Sequence, residues 1–266
     1  MIIPRFTCSN LNSDYLDKVM SKKNSEKLIK SIIKRIKFSK FDGITLECLQ
    51  YLIRDDLYAS YSMFQMSLYE ELKKLDVNKK LLITFLPYSE NIFLSVNKNR
   101  YEYLNKYLDY SLIMTYDYMR YTSGNNKTYK TINNSPITWL SKSIENYISS
   151  GINNEKNNNL LKKVIIGIPF HGISLDITNY EELKGNIVDS FKLNSLLEHS
   201  QDFDIIWDDV EKEHMFDVSI ENSVYRTIVP SDLFIKERIK YASDNNLAGI
   251  FVWDIGQGFD SWMDCL

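Results

Sequence analysis

The sequence predicts an α/β fold built on a parallel sheet. Short apolar runs rich in β-branched residues alternate with longer amphipathic stretches, which is the pattern of repeated strand and helix units. The composition, 44% hydrophobic and 25% charged over 266 residues, is typical of a globular chain that can bury one large core. We therefore expect a single domain covering residues 1–266.

Six parallel strands are expected, separated by helices. The runs that predict strands lie, in chain order, at Ile2–Phe6, Gly43–Cys48, Leu81–Leu86, Leu112–Tyr116, Lys163–Ile168 and Ala248–Trp253. Helices are predicted over Ser25–Lys37, where isoleucines and a leucine recur at helical spacing, and from about Met63 to Leu75.

The number of strands bears on the architecture. A (β/α)8 TIM barrel has eight strands, so six predict such a barrel that lacks its first two βα units. Because Met1 falls directly on the first strand, we expect the shortage at the N-terminus. Missing strands would leave two unpaired edges, so either a longer natural chain or a partner that fills the gap is implied.

A small antiparallel insertion is expected before the last strand. The segments Phe203–Asp208, Glu213–Val218 and Val224–Val229 alternate like strands, and the last two are joined across a turn at Glu221–Ser223. We assign residues 172–235 to this α+β insertion.

Several classes of function are excluded by composition. The net charge is −3 and Lys and Arg are spread along the chain, so we expect neither a nucleic-acid nor an anionic-membrane partner. Apolar runs such as Val164–Ile168 are far shorter than the ~20 residues of a membrane span. The three cysteines, Cys8, Cys48 and Cys265, form neither a disulfide framework nor a metal-ligand spacing, so we expect no metal and no cofactor.

The segment Phe41–Glu47 contains the first candidate functional residue. It begins at a turn and runs into a buried strand, so Thr45, Glu47 and Leu49 should face the same way at period two. In a parallel barrel that direction is the interior, at the end where active sites form. A carboxylate there is unfavourable unless it is paired or functional, so Glu47 is either a functional or vestigial acid or a member of a structural network.

This segment resembles the Asp-Gly-x-Asp-x-Asp-x-Glu motif of glycoside hydrolase family 18, the chitinase-type family. In that motif the final glutamate protonates the glycosidic oxygen. Asp42 and Gly43 match the motif, whereas Thr45 and Glu47 replace its second and third acids and Leu49 stands where the catalytic glutamate should be. The resemblance therefore implies a chain without catalytic residues, in which Glu47 and Asp117 are vestigial.

Three further segments resemble the same family in the same order. Met114–Tyr118 resembles its strand-six motif, Val164–Gly172 its strand-seven segment, and Gly249–Asp254 its last strand. In the family, the tyrosine and aspartate of the first segment contact the acetamido group of the sugar and the tryptophan of the last lies under the sugar ring. The residues that the resemblance implies for ligand binding are Glu47, Met114, Tyr116, Asp117, Tyr118 and Trp253.

Each of these residues also has a purely structural interpretation. Trp253 and Tyr116 could be core aromatics at strand ends, Asp117 could cap a loop, and Met114 could be a packing residue. Their coincidence in one ordered set favours the functional interpretation.

One branch of the family resembles the chain most, the chitinase domain-containing, stabilin-interacting chitinase-like proteins. The shared features are Phe41–Gly43 followed by the lone Glu47, the Met114–Tyr118 motif, and the C-terminal phrase Trp253–Asp260. Members of this branch are regarded as saccharide-binding proteins without chitinase activity. The resemblance implies a secreted or lysosomal protein, although the chain as given opens on a strand and not on a signal peptide.

The predicted function is binding of N-acetylated, chitin-type oligosaccharide without hydrolysis. If the strand continued to Leu49, Glu47 would lie ~6.6 Å short of the catalytic position, and its extra methylene recovers only ~1.5 Å. Two alternatives remain open. One is a protein-interaction scaffold with Trp253 and Tyr116 buried in a closed pocket, and the other is a weak hydrolase that uses Glu47 and Asp117 as its two carboxylates.

Overall fold

The computed structural model describes residues 1–8, 13–89, 103–122, 132–149, 159–178, 184–199 and 204–266. Two sheets are present in this part of the chain. One has six strands in the order β1-β2-β3-β4-β5-β11, and the other has five in the order β7-β6-β10-β9-β8. In chain order, the helices and strands are β1 (Arg5–Thr7), α1 (Ser13–Met20), α2 (Lys22–Ser39), β2 (Gly43–Glu47), α3 (Leu49–Ile53), α4 (Asp55–Leu75), β3 (Lys80–Phe85), β4 (Tyr110–Ile113), α5 (Tyr118–Thr122), α6 (Ile137–Ile148), β5 (Val164–Pro169), β6 (Gly172–Asp176), β7 (Lys184–Val188), α7 (Ser190–His199), β8 (Ile206–Asp208), β9 (Glu213–Ile220), β10 (Ser223–Val229), α8 (Asp232–Asp244), β11 (Gly249–Trp253) and α9 (Asp260–Met263).

The chain divides into two compact units. The first comprises residues 1–86, 95–114 and 146–165, and the second comprises residues 87–94, 115–145 and 166–266. Each unit has its own apolar core, described in turn below.

The first unit is a parallel sheet covered by amphipathic helices. Strands β1 to β4 pair in parallel, with Thr7 opposite Glu47 and Gly43 opposite Lys80. A methyl group at Gly43 would lie 2.0 Å from the Lys80 carbonyl oxygen, so only glycine allows this close strand pairing. The helices α2 and α4 bury their apolar stripes, which contain Ile29, Ile32, Ile36, Leu57, Phe64, Leu68 and Leu72.

The second unit contains the antiparallel sheet. Strand β10 pairs with both β6 and β9, and β9 and β10 form a hairpin across Glu221 and Asn222. Helix α8 is capped by Ser231, whose side chain accepts a hydrogen bond from the Phe234 amide. One core cluster of this unit consists of Ile168, Phe170, Phe234, Ile235 and Trp262.

The predicted strands agree with the observed ones to within a few residues. The predicted segment Phe203–Asp208 is shorter as β8, and Phe203 itself lies outside the described residues. Strands β6 and β7 were not predicted, although Ile173 and Leu175 alternate with polar or small residues in β6. In β7, Lys184, Gly185 and Asn186 give no strand pattern, and pairing with β6 stabilises it. The bounds 172–235 of the insertion stay a prediction.

The expectation for the cysteines was wrong. Cys8 and Cys48 form a disulfide, with their Cα atoms 4.8 Å apart. The physical reason is the β1–β2 register: Thr7 lies opposite Glu47, so the next residue of each strand comes side by side. Because the two cysteines are 40 residues apart in sequence, no local pattern predicts that they lie close together. None of the described helices is both long and apolar enough to cross a membrane.

Candidate functional site

The first candidate acid, Glu47, is the last residue of β2. Its carboxylate accepts a hydrogen bond from Arg5 Nη1 at 3.2 Å, and the two side chains are 21% and 42% exposed. The pairing of β1 with β2 brings Arg5 to this edge of the sheet. Glu47 therefore has a cationic partner, although an ion pair this exposed stabilises a fold by less than about 1 kcal/mol.

Leu49, at the position of the family's catalytic glutamate, does not extend β2 as predicted. The strand ends at Glu47, and Leu49 is the first residue of α3, where it is half-buried. The chain turns here because Cys48 is tied to Cys8 and its carbonyl accepts a hydrogen bond from the Tyr51 amide at 3.1 Å. The aliphatic Leu49 side chain has no proton to donate, so this position cannot supply a general acid.

The aromatic part of the site lies in the second unit. Tyr116 is 4% exposed, and its ring is stacked on that of Trp253 with centroids 6.4 Å apart and planes 13° apart. A methyl group at Gly167 would lie 2.6 Å from the Tyr116 ring and 2.8 Å from the Phe251 ring, so glycine permits this packing. Trp253 is only half-buried. The two aromatics thus differ: Tyr116 is part of the core, whereas Trp253 keeps accessible ring surface.

Asp117 is held from three directions. Its Oδ1 accepts a hydrogen bond from His171 Nε2 at 2.9 Å, and its Oδ2 lies 3.3 Å from Arg120 Nη1. Its amide donates to Asn134 Oδ1 at 3.0 Å. The residue is 9% exposed and has φ 60°, a left-handed conformation that aspartate adopts more readily than most residues.

His171 is the partner that fixes the Asp117 carboxylate. It is 1% exposed, and its Nδ1 has no hydrogen-bond partner among the described residues. Because an ionised carboxylate only accepts hydrogen bonds, Nε2 carries the hydrogen in this pair. His171 also lies edge-on to Tyr116, with centroids 6.2 Å apart, so it connects the aromatic and acidic parts of the site.

A buried polar network supports the backbone behind Asp117. Asn134 accepts from the Asp117 amide, donates its Nδ2 to the His171 carbonyl at 2.9 Å, and is 1% exposed. Glu213 in turn accepts hydrogen bonds from the Asn133 side chain at 2.8 Å and from the amides of Asn134 and Ser135 at 3.2 and 2.7 Å. One carboxylate therefore holds residues 133–135, and these hold Asp117.

Arg238 completes the network. It is fully buried, donates from Nη1 to the Lys212 carbonyl at 2.7 Å, and also donates to the carbonyl of Ser135. Burial raises the pKa of the Glu213 carboxyl, while the charge of Arg238 opposes that rise. Burial lowers the pKa of Arg238 to about 10, so it remains a cation at neutral pH.

The other two predicted ligand contacts are Met114 and Tyr118, and the Tyr118 amide donates to the Asn134 carbonyl at 2.8 Å. Met114 belongs to the first unit, is half-buried, and donates its amide to the Phe85 carbonyl at 3.2 Å. Tyr118 begins α5, and its ring packs on that of Trp139 with centroids 4.8 Å apart. Of the predicted residues, the structure thus brings together Tyr116, Asp117 and Trp253.

Three important residues had no role in the sequence prediction: His171, Asn134 and Glu213. His171 lies in the segment that resembles strand seven and is one of only three histidines, which is a usable signal. Asn134 and Glu213 are 79 residues apart, and nothing in the sequence links them. In the part of the chain that the structure describes, no group of three or more His, Cys, Asp or Glu side chains could hold a metal ion.

The family model for glycosyl hydrolases family 18 matches residues 8–258. Solved structures agree with this match. The C-terminal domain of a putative chitinase from Desulfitobacterium hafniense superposes with a TM-score of 0.79 at 18% identity, covering 98% of this chain and 75% of that one. The spore cortex-lytic enzyme SleL of Bacillus cereus gives 0.74 at 16% identity, covering 99% of this chain but 58% of that one.

A third solved structure has a bound sugar. A mutant of the Cycas revoluta family 18 chitinase, in complex with (GlcNAc)4, gives a TM-score of 0.75 at 15% identity and covers 97% of this chain and 78% of that one. Identities this low show the fold alone. The superpositions confirm the predicted α/β TIM-barrel-like fold, with a six-stranded parallel sheet and a separate antiparallel sheet. Because the family model matches residues 8–258 of the 266-residue chain, the chain belongs to glycoside hydrolase family 18.

Proposed function

We propose that this protein binds N-acetylated, chitin-type oligosaccharides over Trp253 and does not hydrolyse them. The single observation that carries the proposal is the contrast between the two parts of the family motif: Leu49 replaces the catalytic acid, whereas Tyr116, Asp117 and Trp253 are present and clustered. Sugar rings present an apolar C–H face that stacks on an aromatic ring, and fixed polar groups then set the orientation.

The roles of the proposed contacts follow from their surroundings. Half-buried Trp253 offers its ring face to the sugar. Asp117 accepts a hydrogen bond from the acetamido N–H, since His171 and Asn134 hold its carboxylate and backbone in place. Buried Tyr116 supports the Trp253 ring from behind. Ligand contacts at Glu47, Met114 and Tyr118 also remain part of the proposal.

The absence of hydrolysis is supported by the partners of both remaining carboxylates. Glu47 is paired with Arg5, and Asp117 is paired with His171 and Arg120. A general acid must be free to deliver a proton to the glycosidic oxygen, whereas both carboxylates here already accept hydrogen bonds from these partners. Losing a positioned general acid lowers a rate by ~10²–10⁴.

Assignment to the chitinase domain-containing, stabilin-interacting branch is part of the same proposal. It rests on Phe41–Gly43 with the lone Glu47 and on the phrase Trp253–Asp260. A secreted or lysosomal localisation, as in that branch, is supported by the Cys8–Cys48 disulfide, because disulfides persist in oxidising compartments.

Two experiments test the proposal. Calorimetric titration with chitotetraose should give binding for the wild type and Leu49→Ala, none for Trp253→Ala, and weaker binding for Asp117→Ala. Equal heats for all variants would mean that the sugar binds elsewhere. A fluorogenic chito-oligosaccharide should not be turned over, and turnover that disappears in Glu47→Gln would revive the hydrolase alternative.

A further inference from the structure

Helix α2 concentrates positive charge on the surface of the first unit. Residues 22–40 contain a single acid, Glu26. Their eight cations, all exposed, are Lys22, Lys23, Lys27, Lys30, Lys34, Arg35, Lys37 and Lys40. This segment has a net charge of +7 in a chain whose net charge is −3, so the rest of the chain carries −10. The even spread of Lys and Arg inferred from the sequence does not hold on this helix.

Five of these cations form one stripe. Lys23, Lys27, Lys30, Lys34 and Lys37 follow each other at spacings of four and three residues, which places them on one face of a helix. At 1.5 Å per residue, the stripe is about 21 Å long. Among the described residues, none of the eight cations forms an ion pair, in contrast to Lys73, Lys74 and Lys240 elsewhere.

A groove runs beside the stripe. Its volume is about 610 Å³, and its lining includes Ile29, Ile33, Lys30, Lys34 and Lys37. Two acids also line it, Glu26 and Glu71, and the Glu71 carboxylate accepts a hydrogen bond from Lys74 at 2.8 Å. A second depression of about 380 Å³, lined by Lys34, Arg35 and the 82% exposed Phe38, lies next to it. The groove thus has an apolar floor and a cationic rim.

We propose that this α2 groove binds an anionic polysaccharide, whose sulfate or carboxylate groups the lysine stripe neutralises. The stripe is linear and unpaired, which suits a rod-like polymer with repeated negative charges. The apolar floor suits the C–H faces of the sugar rings, and Phe38 lies where the rod would leave the helix. This site is separate from the proposed pocket at Trp253 and does not rest on it.

Two other polyanions fit the observations less well. An anionic membrane requires several apolar side chains that project into the bilayer, but Phe38 is the one exposed apolar side chain of residues 22–40, since Ile29 is 6% exposed and Ile33 is half-buried. Binding of single-stranded nucleic acid typically uses aromatic side chains on which the bases stack, and none of the described residues that line this groove is aromatic. Both remain outcomes of the test.

Binding to immobilised heparin, a sulfated polysaccharide, tests the proposal. The wild type should bind with an affinity that falls steeply with NaCl. The heparin affinity of the triple variant Lys30→Gln/Lys34→Gln/Lys37→Gln should be lower by on the order of tenfold or more, and it should depend less steeply on NaCl. Glutamine and lysine have similar helix propensities, so the variant should fold, which its circular dichroism checks.

Matched controls make the result specific. Lys106→Gln/Lys162→Gln/Lys236→Gln makes the same charge change at three exposed lysines elsewhere and should keep wild-type affinity. The charge-preserving variant Lys30→Arg/Lys34→Arg/Lys37→Arg should also bind heparin. The variant Trp253→Ala should no longer bind chitotetraose but should still bind heparin. Equal losses in both glutamine variants would overturn the proposal. So would binding to phosphatidylserine vesicles or single-stranded DNA with no binding to heparin.

Discussion

The end of β2 and the region around Asp117 both resemble motifs of the same family, but their side chains are held in place differently. At the end of β2 the remaining acid, Glu47, is partly exposed and held by a single cation, Arg5. Around Asp117 the carboxylate, the backbone amide and the supporting loop are all buried and hydrogen-bonded. The residues attributed to catalysis are thus replaced or loosely held, whereas those attributed to sugar contact are firmly positioned.

This difference indicates that the fold depends more on the side chains around Asp117 than on Glu47. A buried network with an unpaired member is destabilising, so each residue around Asp117 constrains the others. An exposed pair such as Arg5–Glu47 imposes little constraint. The comparison can be tested by removing one group at a time from each region.

The largest effect is expected for Glu213→Ala. The substitution leaves the buried amides of Asn134 and Ser135 and the side-chain amide of Asn133 without their acceptor. Each buried hydrogen-bonding group left without a partner costs about 1–3 kcal/mol, so losing three acceptor contacts should cost several kcal/mol. Urea denaturation should show this loss in the free energy of unfolding. Asp209→Ala, at an 83% exposed side chain, should leave it nearly unchanged.

The same carboxyl should give stability a characteristic pH dependence. Burial raises the folded-state pKa of Glu213 above its ordinary value of 4.5, so the folded state binds more protons than the unfolded state just above that pH. The contribution of Glu213 is therefore fully present below pH 4.5 and is lost as pH rises through the folded pKa. The stability of the wild type relative to Glu213→Gln should therefore fall as the pH rises above 4.5. A constant difference would contradict the assigned direction of the shift.

At the end of β2, the corresponding large effect should come from the disulfide and not from the acid. The Cys8–Cys48 bond closes a segment with a sequence separation of 40, and disulfides typically stabilise by about 2–4 kcal/mol. The double variant Cys8→Ser/Cys48→Ser should unfold at correspondingly lower urea concentration. Wild type treated with dithiothreitol should match it, while Cys265→Ser should behave as untreated wild type. Insensitivity to reduction would mean that the thiols are not bonded.

A smaller effect is expected when the hydrogen bond between His171 and Asp117 is weakened. The variant Asp117→Asn keeps the size of the side chain and an oxygen that can accept from His171, but it removes the charge, and a hydrogen bond to a neutral acceptor is weaker than one to a charged acceptor by about 1 kcal/mol. Titration with chitotetraose should show an affinity lower by that amount. An affinity equal to that of the wild type would remove Asp117 from the proposed site.

The smallest effect is expected for Glu47→Gln. Its partner Arg5 is 42% exposed, so both the unfolding free energy and the chitotetraose affinity should change by less than about 1 kcal/mol. Chemical denaturation and calorimetry measure the two quantities. A loss larger than that of Asp117→Asn would reverse the comparison between the two regions.

The sequence allowed prediction of the parallel sheet because short apolar runs, such as Leu81–Ile83 in β3 and Val164–Ile166 in β5, alternate with amphipathic helices. It could also place Tyr116, Asp117 and Trp253, since each lies in a short segment that resembles the family. Two features could not be predicted. The disulfide depends on the register of two strands 40 residues apart, and the support of Asp117 depends on Glu213, which no local pattern connects to it. Both arise from tertiary proximity, which periodicity cannot reveal.

The long reach of Glu213 also sets the order in which the site can assemble. Its carboxylate binds residues 133–135 across 78–80 positions of chain, whereas β1 and β2 pair across about 40. Contacts between distant segments form late, since the intervening chain must first lose its freedom. On the ribosome, Asp117 and Asn134 emerge well before β9. We therefore expect Asp117 to take up its final orientation only after β9 has been synthesised and has paired with β10.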